Sequence, residues 1–288
     1  MRYLIEHETI LDYPAAVREH HLELRLTPRQ DAGQRLISHR IELEPSAERH
    51  SYQDYFGNGV DYFCVNAPHT CLTTRLTAEV ETLRENPFDF EPVPVYQQKE
   101  WYARELRQTP ALYDYLLHRS SLTPAIMKLA AELDCAVPRH EAEQLPMDSL
   151  LELMGWVPKV LSYEAGSTAV HNDLLDAVRH RTGVCQDFAH LFITVARSWN
   201  LPSRYVMGYM DPGILAEGEM IATHAWAEVL VPGGGWIGFD PVHNLLANDR
   251  YVAVAVGRDS YDAAPQRGSF KGGDAGTQPQ VNLTIVNQ

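Results

Sequence analysis

The hydrophobic period of this chain changes from two residues to about 3.6 near residue 86, and that change fixes the order of its parts. Before it, apolar and polar side chains alternate. Tyr3, Ile5 and His7 interleave with Leu4 and Glu6, and Leu22, Leu24 and Leu26 with Glu23 and Arg25. Alternation puts every second side chain on one face of a strand. The second run stops at Thr27-Pro28-Arg29, because Pro28 has no N–H for a ladder; a further turn falls at Asp54-Tyr55-Phe56-Gly57-Asn58, where Gly57-Asn58 suit positive φ. Residues 72–83 alternate again. Short strands between turns predict an antiparallel, sandwich-like β domain over residues 1–85.

Pro87, Pro92 and Pro94 mark a linker. Helical spacing follows at Tyr113, Leu116 and Leu117, and a start signal at Ser121-Leu122-Thr123-Pro124 leads into Ile126, Leu129 and Leu133. Further helices are predicted near 149–156 and over 171–180. Residues 86–160 thus read as linker and helical region, and 161–288 as a mixed α and β unit with strands returning near residue 200. The stretch 268–279 is rich in glycine and polar residues and reads as a loop before a short final strand at 281–286. The fold class is α+β.

Composition narrows the function. With 45% apolar and 22% charged residues the chain is that of an ordinary globular protein. Its net charge of -14 disfavours nucleic acid and anionic membranes as partners. No apolar run reaches the roughly 18 residues of a membrane span, and Met1 to Glu8 lack a secretory pattern. Cys64, Cys71, Cys135 and Cys185 form no CxxC pair, so a reduced, cytoplasmic protein is expected. Cys64, Cys71 and Cys135 read as small buried hydrophobes.

Cys185 reads differently. Phe188, Leu191, Phe192, Val195, Ala196 and Trp199 form one helical stripe, and Gly183 is expected to break the preceding helix, leaving Cys185 in a first turn. The free N–H groups and dipole of a helix N-terminus favour a thiolate. Downstream, His224, Trp226 and Glu228 share one face of a predicted strand, and Trp236-Ile237-Gly238-Phe239-Asp240 forms a second. A hairpin turn at Pro232-Gly233-Gly234-Gly235 places His224 across from, or diagonal to, Asp240. A carboxylate there can fix the histidine's tautomer and leave its other nitrogen for a thiol.

Cysteine at a helix start, histidine on a strand and aspartate on the next, in that order, resembles the transglutaminase-like core. Gly183-Val184-Cys185-Gln186-Asp187-Phe188-Ala189-His190 is similar to its nucleophile motif, Leu201 to Tyr209 to the following strand, and Thr223-His224-Ala225-Trp226 with Phe239-Asp240-Pro241 to the rest. Leu26-Thr27-Pro28-Arg29 and the Asp54 to Asn58 turn resemble the β domain preceding this core in bacterial members. Gly257 to Asp262 and Pro265 to Gly268 resemble their closing segment.

The resemblance implies a papain-like catalytic core. Cys185 would attack an amide or thioester carbonyl, His224 would act as base and then acid, and Asp240 would orient His224. The Cys185 N–H is a candidate oxyanion donor. Gln186 and Trp226 stand as site support or, equally, as a solvent contact and a core aromatic. Asp187 and His190 lie off the apolar stripe and are expected to make supporting hydrogen bonds. Arg204 and Tyr209 are placed either at the cleft or in the framework.

The expected substrate is a peptide, protein or isopeptide amide, with hydrolysis favoured over transamidation to an amine. A binding module on the same fold is the reading from another class. No cofactor or metal is expected: His20-His21 would point to opposite strand faces, and no H-E-x-x-H or dense acidic calcium loop occurs. Oligomeric state, a homo-oligomer included, is not given by these residues.

Overall fold

A computed structural model describes residues 1–117, 123–141, 144–164, 173–211, 213, 223–273 and 279–288. Residues 121–122 of the predicted start signal, 171–172 of a predicted helix, 221–222 ahead of His224, and 274–278 lie outside the described residues.

Strand β1 (Arg2–Leu24) is the spine of an antiparallel curled sheet. The two expected runs are one strand, with a register shift between Asp12 and Val17. With β2 (Gln34–Glu44), β3 (Arg49–Gln53), β4 (Gly59–Val65) and β5 (His69–Thr82) the order is β2-β5-β1-β4-β3. Tyr3, Ile5, Leu22 and Leu24 bury one face, as alternation requires. Gly57 has a φ of +73° and turns the chain after Asp54. Asn58 is not among the positive-φ residues; its carboxamide has another task, described below.

The helices are α1 (Val95–Gln108), α2 (Asp114–Leu117) after a 3-10 turn at Pro110–Tyr113, α3 (Thr123–Glu132), α4 (Pro146–Val160), α5 (Leu174–His180) and α6 (Cys185–Ser198). A short parallel bridge joins β6 (Ser162–Tyr163) to β7 (Thr182–Gly183), just before α6. A second sheet, in the order β11-β10-β9-β8-β12, holds β8 (Ser203–Met210), β9 (His224–Val231), β10 (Gly235–Asp240), β11 (Leu245–Leu246) and β12 (Tyr251–Gly257). Phe188, Leu191, Phe192, Val195 and Ala196 of α6 are buried against β8, β9 and α4. Each large member contributes about 1.5–3 kcal/mol by burial, and the Phe192 ring stacks on Phe239 at 5.2 Å, beside Asp240.

The chain returns to its beginning. β13 (Gln266–Gly272) and β14 (Gln280–Asn287) both pair with β1. Residues 268–272, expected in a loop, are therefore strand. Their side chains are exposed, so the sequence shows no alternation there. The core edge strand β12 is also closed by the N-terminal half. Asn58 donates from Nδ2 to the Val256 carbonyl and accepts from its N–H, both at 2.8 Å; Gln34 does the same for Ala253. Two carboxamides thus replace a neighbouring strand and leave no open edge at those positions.

All four cysteines are free. Cys71 is exposed, and Cys64 and Cys135 are half-buried, so the expectation of small buried hydrophobes is corrected. Cys64 and Cys71 lie on sheet strands with their side chains on the outer face. Among the described residues no helix is long and apolar enough to cross a membrane.

Candidate active site

The site begins at the turn into α6. Arg181, in left-handed conformation at φ 56°, ends α5; Gly183 does not, contrary to the sequence reading. Gly183 is needed for space. A Cβ there would meet the Asp187 Cβ at 2.8 Å and its Oδ2 at 2.9 Å. That same Oδ2 accepts from the Val184 N–H at 2.9 Å, while the Asp187 N–H donates to the Val184 carbonyl. Asp187, buried at the third helical position, caps the helix whose first residue is Cys185.

Strand register brings the other two groups together. Phe239 pairs with Ala227, which sets Asp240 level with Trp226 and diagonal to His224. His224 donates from Nε2 to Asp240 Oδ2 at 2.7 Å, and the Cys185 side chain acts on the same ring. Asp240 and Cys185 therefore both act on the one histidine ring. Burial would push the His224 imidazole down; the Asp240 carboxylate outweighs it and, with Cys185, holds His224 well above the usual histidine range. For Asp240, burial would raise the carboxyl, but His224 and then His243 hold it well below the usual carboxylate range.

The sequence reading does not name two of its partners. His243 donates from Nδ1 to Asp240 Oδ2 at 2.7 Å, and the Tyr251 hydroxyl donates to the same oxygen at 2.8 Å. Asp240 Oδ1 accepts from the Val242 N–H at 3.0 Å. This is the turn by which an aspartate bonds backbone two residues on, and Asp240-Pro241-Val242-His243 was a usable signal for it. Tyr251 carries no local signal, since its strand is the far edge of the sheet. Burial and then Asp240 push its phenol far above the ordinary range.

The supporting candidates fall in different places. Trp226 is fully buried, stacks on His224 at 6.2 Å and meets Tyr251 edge-on. Its ring lies over Gly208, where a Cβ would come within 2.7 Å of it. Gln186 follows Cys185 in the first turn of α6 and is half-buried. Tyr209 is fully buried, and its hydroxyl meets His7 Nδ1 at 3.0 Å on β1. His190 accepts from the Ser260 N–H, tying α6 to the closing segment. Arg204 is paired with Glu228 and lies over the Trp236 ring at 4.1 Å.

Among the described residues, His224, Asp240 and His243 form the group whose donor atoms, all within 4.8 Å, are those a cation takes. Both histidine nitrogens are already 2.7 Å from one carboxylate oxygen. Tetrahedral ligands with bonds of about 2.0–2.1 Å stand roughly 3.3 Å apart, so a cation would require this carboxylate to move.

The fold is papain-like, a helix bearing a cysteine packed on a sheet bearing histidine and aspartate. Residues 3–81 match the family model for the bacterial transglutaminase-like N-terminal region, and residues 136–241 that for the transglutaminase-like superfamily. The chain is 33% identical over 277 residues to an uncharacterized protein of Mycobacterium leprae, covering 94% of each. A Mycobacterium tuberculosis relative, also uncharacterized, is 30% identical over 99% of this chain and 92% of its own length. Among solved structures, a candidate cysteine protease of Cytophaga hutchinsonii shares the fold, with a TM-score of 0.73 at 22% identity over 100% of this chain and 91% of that one. The chain belongs to the transglutaminase-like superfamily.

Proposed function

We propose that this protein is a cysteine-dependent amide-bond hydrolase or acyl transferase acting through a thioester acyl-enzyme. The observation that carries the proposal is His224 with Nε2 2.7 Å from the Asp240 carboxylate and with the Cys185 side chain, at the start of α6, acting on the same ring. Cys185 sulfur attacks the substrate carbonyl carbon, and the carbonyl π electrons move to oxygen, where the N–H groups at the start of α6 receive the charge. As the C–N bond breaks, His224 gives its proton to the leaving amine. A water then loses a proton to His224 and attacks the thioester, and the acid leaves with the thiolate restored. Hydrolysis is the favoured outcome; a primary amine in place of water gives transamidation. Asp240 keeps His224 in the tautomer and orientation these steps need.

A peptide, protein or isopeptide amide is the proposed substrate, with the cytoplasm as the compartment, where four free thiols persist. A panel of peptide amides provides the test, with ammonia or amine release measured with and without a primary amine acceptor. Release by wild type and a loss of at least about 1000-fold in Cys185→Ala are expected. Capture of the acyl group on the added amine would assign the transamidase instead. Equal release by both proteins would refute the nucleophile, and folded protein that binds peptide without turnover would favour the binding module.

A further inference from the structure

The two halves of the chain enclose a cavity of about 460 Å³, a volume ordinary for small-ligand sites, which run from roughly 300 to 1,000 Å³. Arg29 and Arg84 reach it from the first half, and Arg204, Trp226, Trp236 and Tyr251 from strands β8, β9, β10 and β12 of the second sheet. Trp226 and Tyr251 belong to a hydrophobic cluster with Val206 and Val256. Ala225 and Ala227, on the other face of β9, belong instead to the cluster that holds Phe188 and Phe192 of α6. The cavity therefore lies on the face of the sheet turned away from α6. It still adjoins the candidate active site, because Trp226 stacks on His224 and Tyr251 donates to Asp240.

Two buried donors on this lining have no acceptor among the described residues, the Trp226 indole Nε1 and Arg29 Nε. Buried N–H groups are normally paired, so two orphans on one cavity point to an acceptor from outside the chain. Trp226 Nε1 lies over Gly238, where a Cβ would come within 3.2 Å of it. Arg29 spends Nη1 on the Asn58 side chain at 2.6 Å and on the Phe56 carbonyl at 3.3 Å. Its Nε stands 3.8 Å from Asp31 Oδ2, an ion-pair distance but too long for a hydrogen bond. Arg204 is held by Glu228, and Arg84 donates to the Trp236 carbonyl at 2.6 Å. Three guanidinium groups on the lining, against the carboxylates of Asp31 and Glu228, leave one positive charge inside a chain whose net charge is -14.

Guanidinium and indole N–H groups only donate, so what they take is an acceptor, and an anionic one binds best. We propose that this cavity is a ligand site for a small carboxylate with an apolar body, the anion received by the unspent N–H groups of Arg29 and Trp226 and the body by the rings of Trp226, Trp236 and Tyr251. The site stands whether or not Cys185 carries out the reaction proposed above, and its test involves no turnover.

Tryptophan labelled at the indole nitrogen reads the cavity directly, since five tryptophans give five indole N–H signals. The Trp226 signal is assigned by its loss in Trp226→Phe or, should that variant not fold, by substituting the other four in turn. The probe is N-acetylphenylalanine, with its amide as the neutral control of the same shape. The acid is expected to move the Trp226 signal downfield and saturably, with half-saturation at about 1 mM. The amide should bind at least about tenfold more weakly, because a charged acceptor is exchanged for a neutral one. Ala247→Leu fills the cavity beside Gly238 and Trp226 without removing a donor, and should weaken the acid by a similar factor.

A Trp226 signal that the acid does not move leaves water as the occupant and overturns the proposal. Equal binding of acid and amide by wild type overturns it as well, with no variant needed. Undiminished binding of the acid by folded Ala247→Leu places the ligand elsewhere and has the same consequence. A longer peptide ending in phenylalanine with a free carboxylate then identifies the source. Binding as tight as that of N-acetylphenylalanine assigns the anion to the end of a peptide chain, and exclusion of the peptide assigns it to a free small acid; either result supports the carboxylate site.

Discussion

Gly183 sets the tolerance of the turn before Cys185. The Asp187 carboxylate that caps α6 lies where a side chain at 183 would go, so Gly183→Ala must displace either the carboxylate or the backbone before Cys185. Loss of such a cap costs about 1 kcal/mol, and overpacking about 1–3 kcal/mol. Gly183→Ala is expected to lower unfolding free energy by about 2 kcal/mol in urea titration and to slow Cys185 alkylation at pH 7 several-fold in folded protein. Wild-type values for both would show that the turn has room to spare. This residue also marks how far the site was legible. The positions of Cys185, His224 and Asp240 followed from helix and strand periods plus one glycine turn, all local signals. Gly183 was recognised as special for the wrong reason, because its neighbour in space, Asp187, acts through a contact no periodicity encodes. His243 and Tyr251 meet Asp240 across a turn and across the sheet, and only His243 had a local cue.

At the scale of elements, the joint between the two halves depends on side chains acting as backbone. Asn58 and Gln34 satisfy the outward groups of β12 at Val256 and Ala253, and Arg29 adds a backbone bond to the Ala253 carbonyl. Arg197 does similar work from α6, its guanidinium donating to the carbonyls of Tyr115, Ser203 and Arg258. Burial lowers that guanidinium to about 10, still a cation at neutral pH. Asn58→Ala would leave a buried N–H and a buried carbonyl without these partners, at about 1–3 kcal/mol each. The expected result is a loss of about 2–4 kcal/mol in denaturant titration, with Asn58→Asp no better, since a carboxylate cannot donate to the Val256 carbonyl. A change below about 0.5 kcal/mol would mean that water replaces the amide. None of this was readable beforehand: Asn58 sits in a turn motif where asparagine has a sufficient local explanation. α1 escaped for another reason. Gln98 is its buried residue, so it has no apolar stripe to detect. The α6 stripe was plain because that helix is covered on several sides.

On the scale of the whole molecule, one hydrophobic cluster runs from Tyr3 and Ile5 in the first sheet through Phe188 and Phe192 of α6 to Phe239 and Val252 in the second. The last strands pair with the first, so the ends of the chain hold one sheet between them. A chain so closed should unfold as one unit, and its acid limit should be set by the weakest buried proton acceptors in the first sheet. His7 and His20 are those groups. Burial lowers each to about 4, with the neighbouring His69 and His21 adding to the effect at His20. His7 has partners for both nitrogens, Tyr209 and Thr9. His20 stacks on His69 at 5.8 Å, and its Nδ1 is buried without a partner. In the unfolded chain both return towards the ordinary value near 6.5. Between about 6.5 and 4 the unfolded state therefore binds more protons, and stability falls as pH falls through that window, by about 2 kcal/mol per histidine. His20→Phe removes the acceptor and the unpaired nitrogen together and leaves an aromatic ring beside Tyr13, His69 and Phe270. Its melting temperature should decline less between pH 7 and pH 4.5 than that of wild type, by several degrees. The far-ultraviolet transition and the exposure of Cys185 to alkylation should still coincide in both proteins. An unchanged pH slope would remove His20 as an acid trigger; separated transitions would show that the first sheet lets go without the core, and that the shared cluster does not bind the two halves into one folding unit.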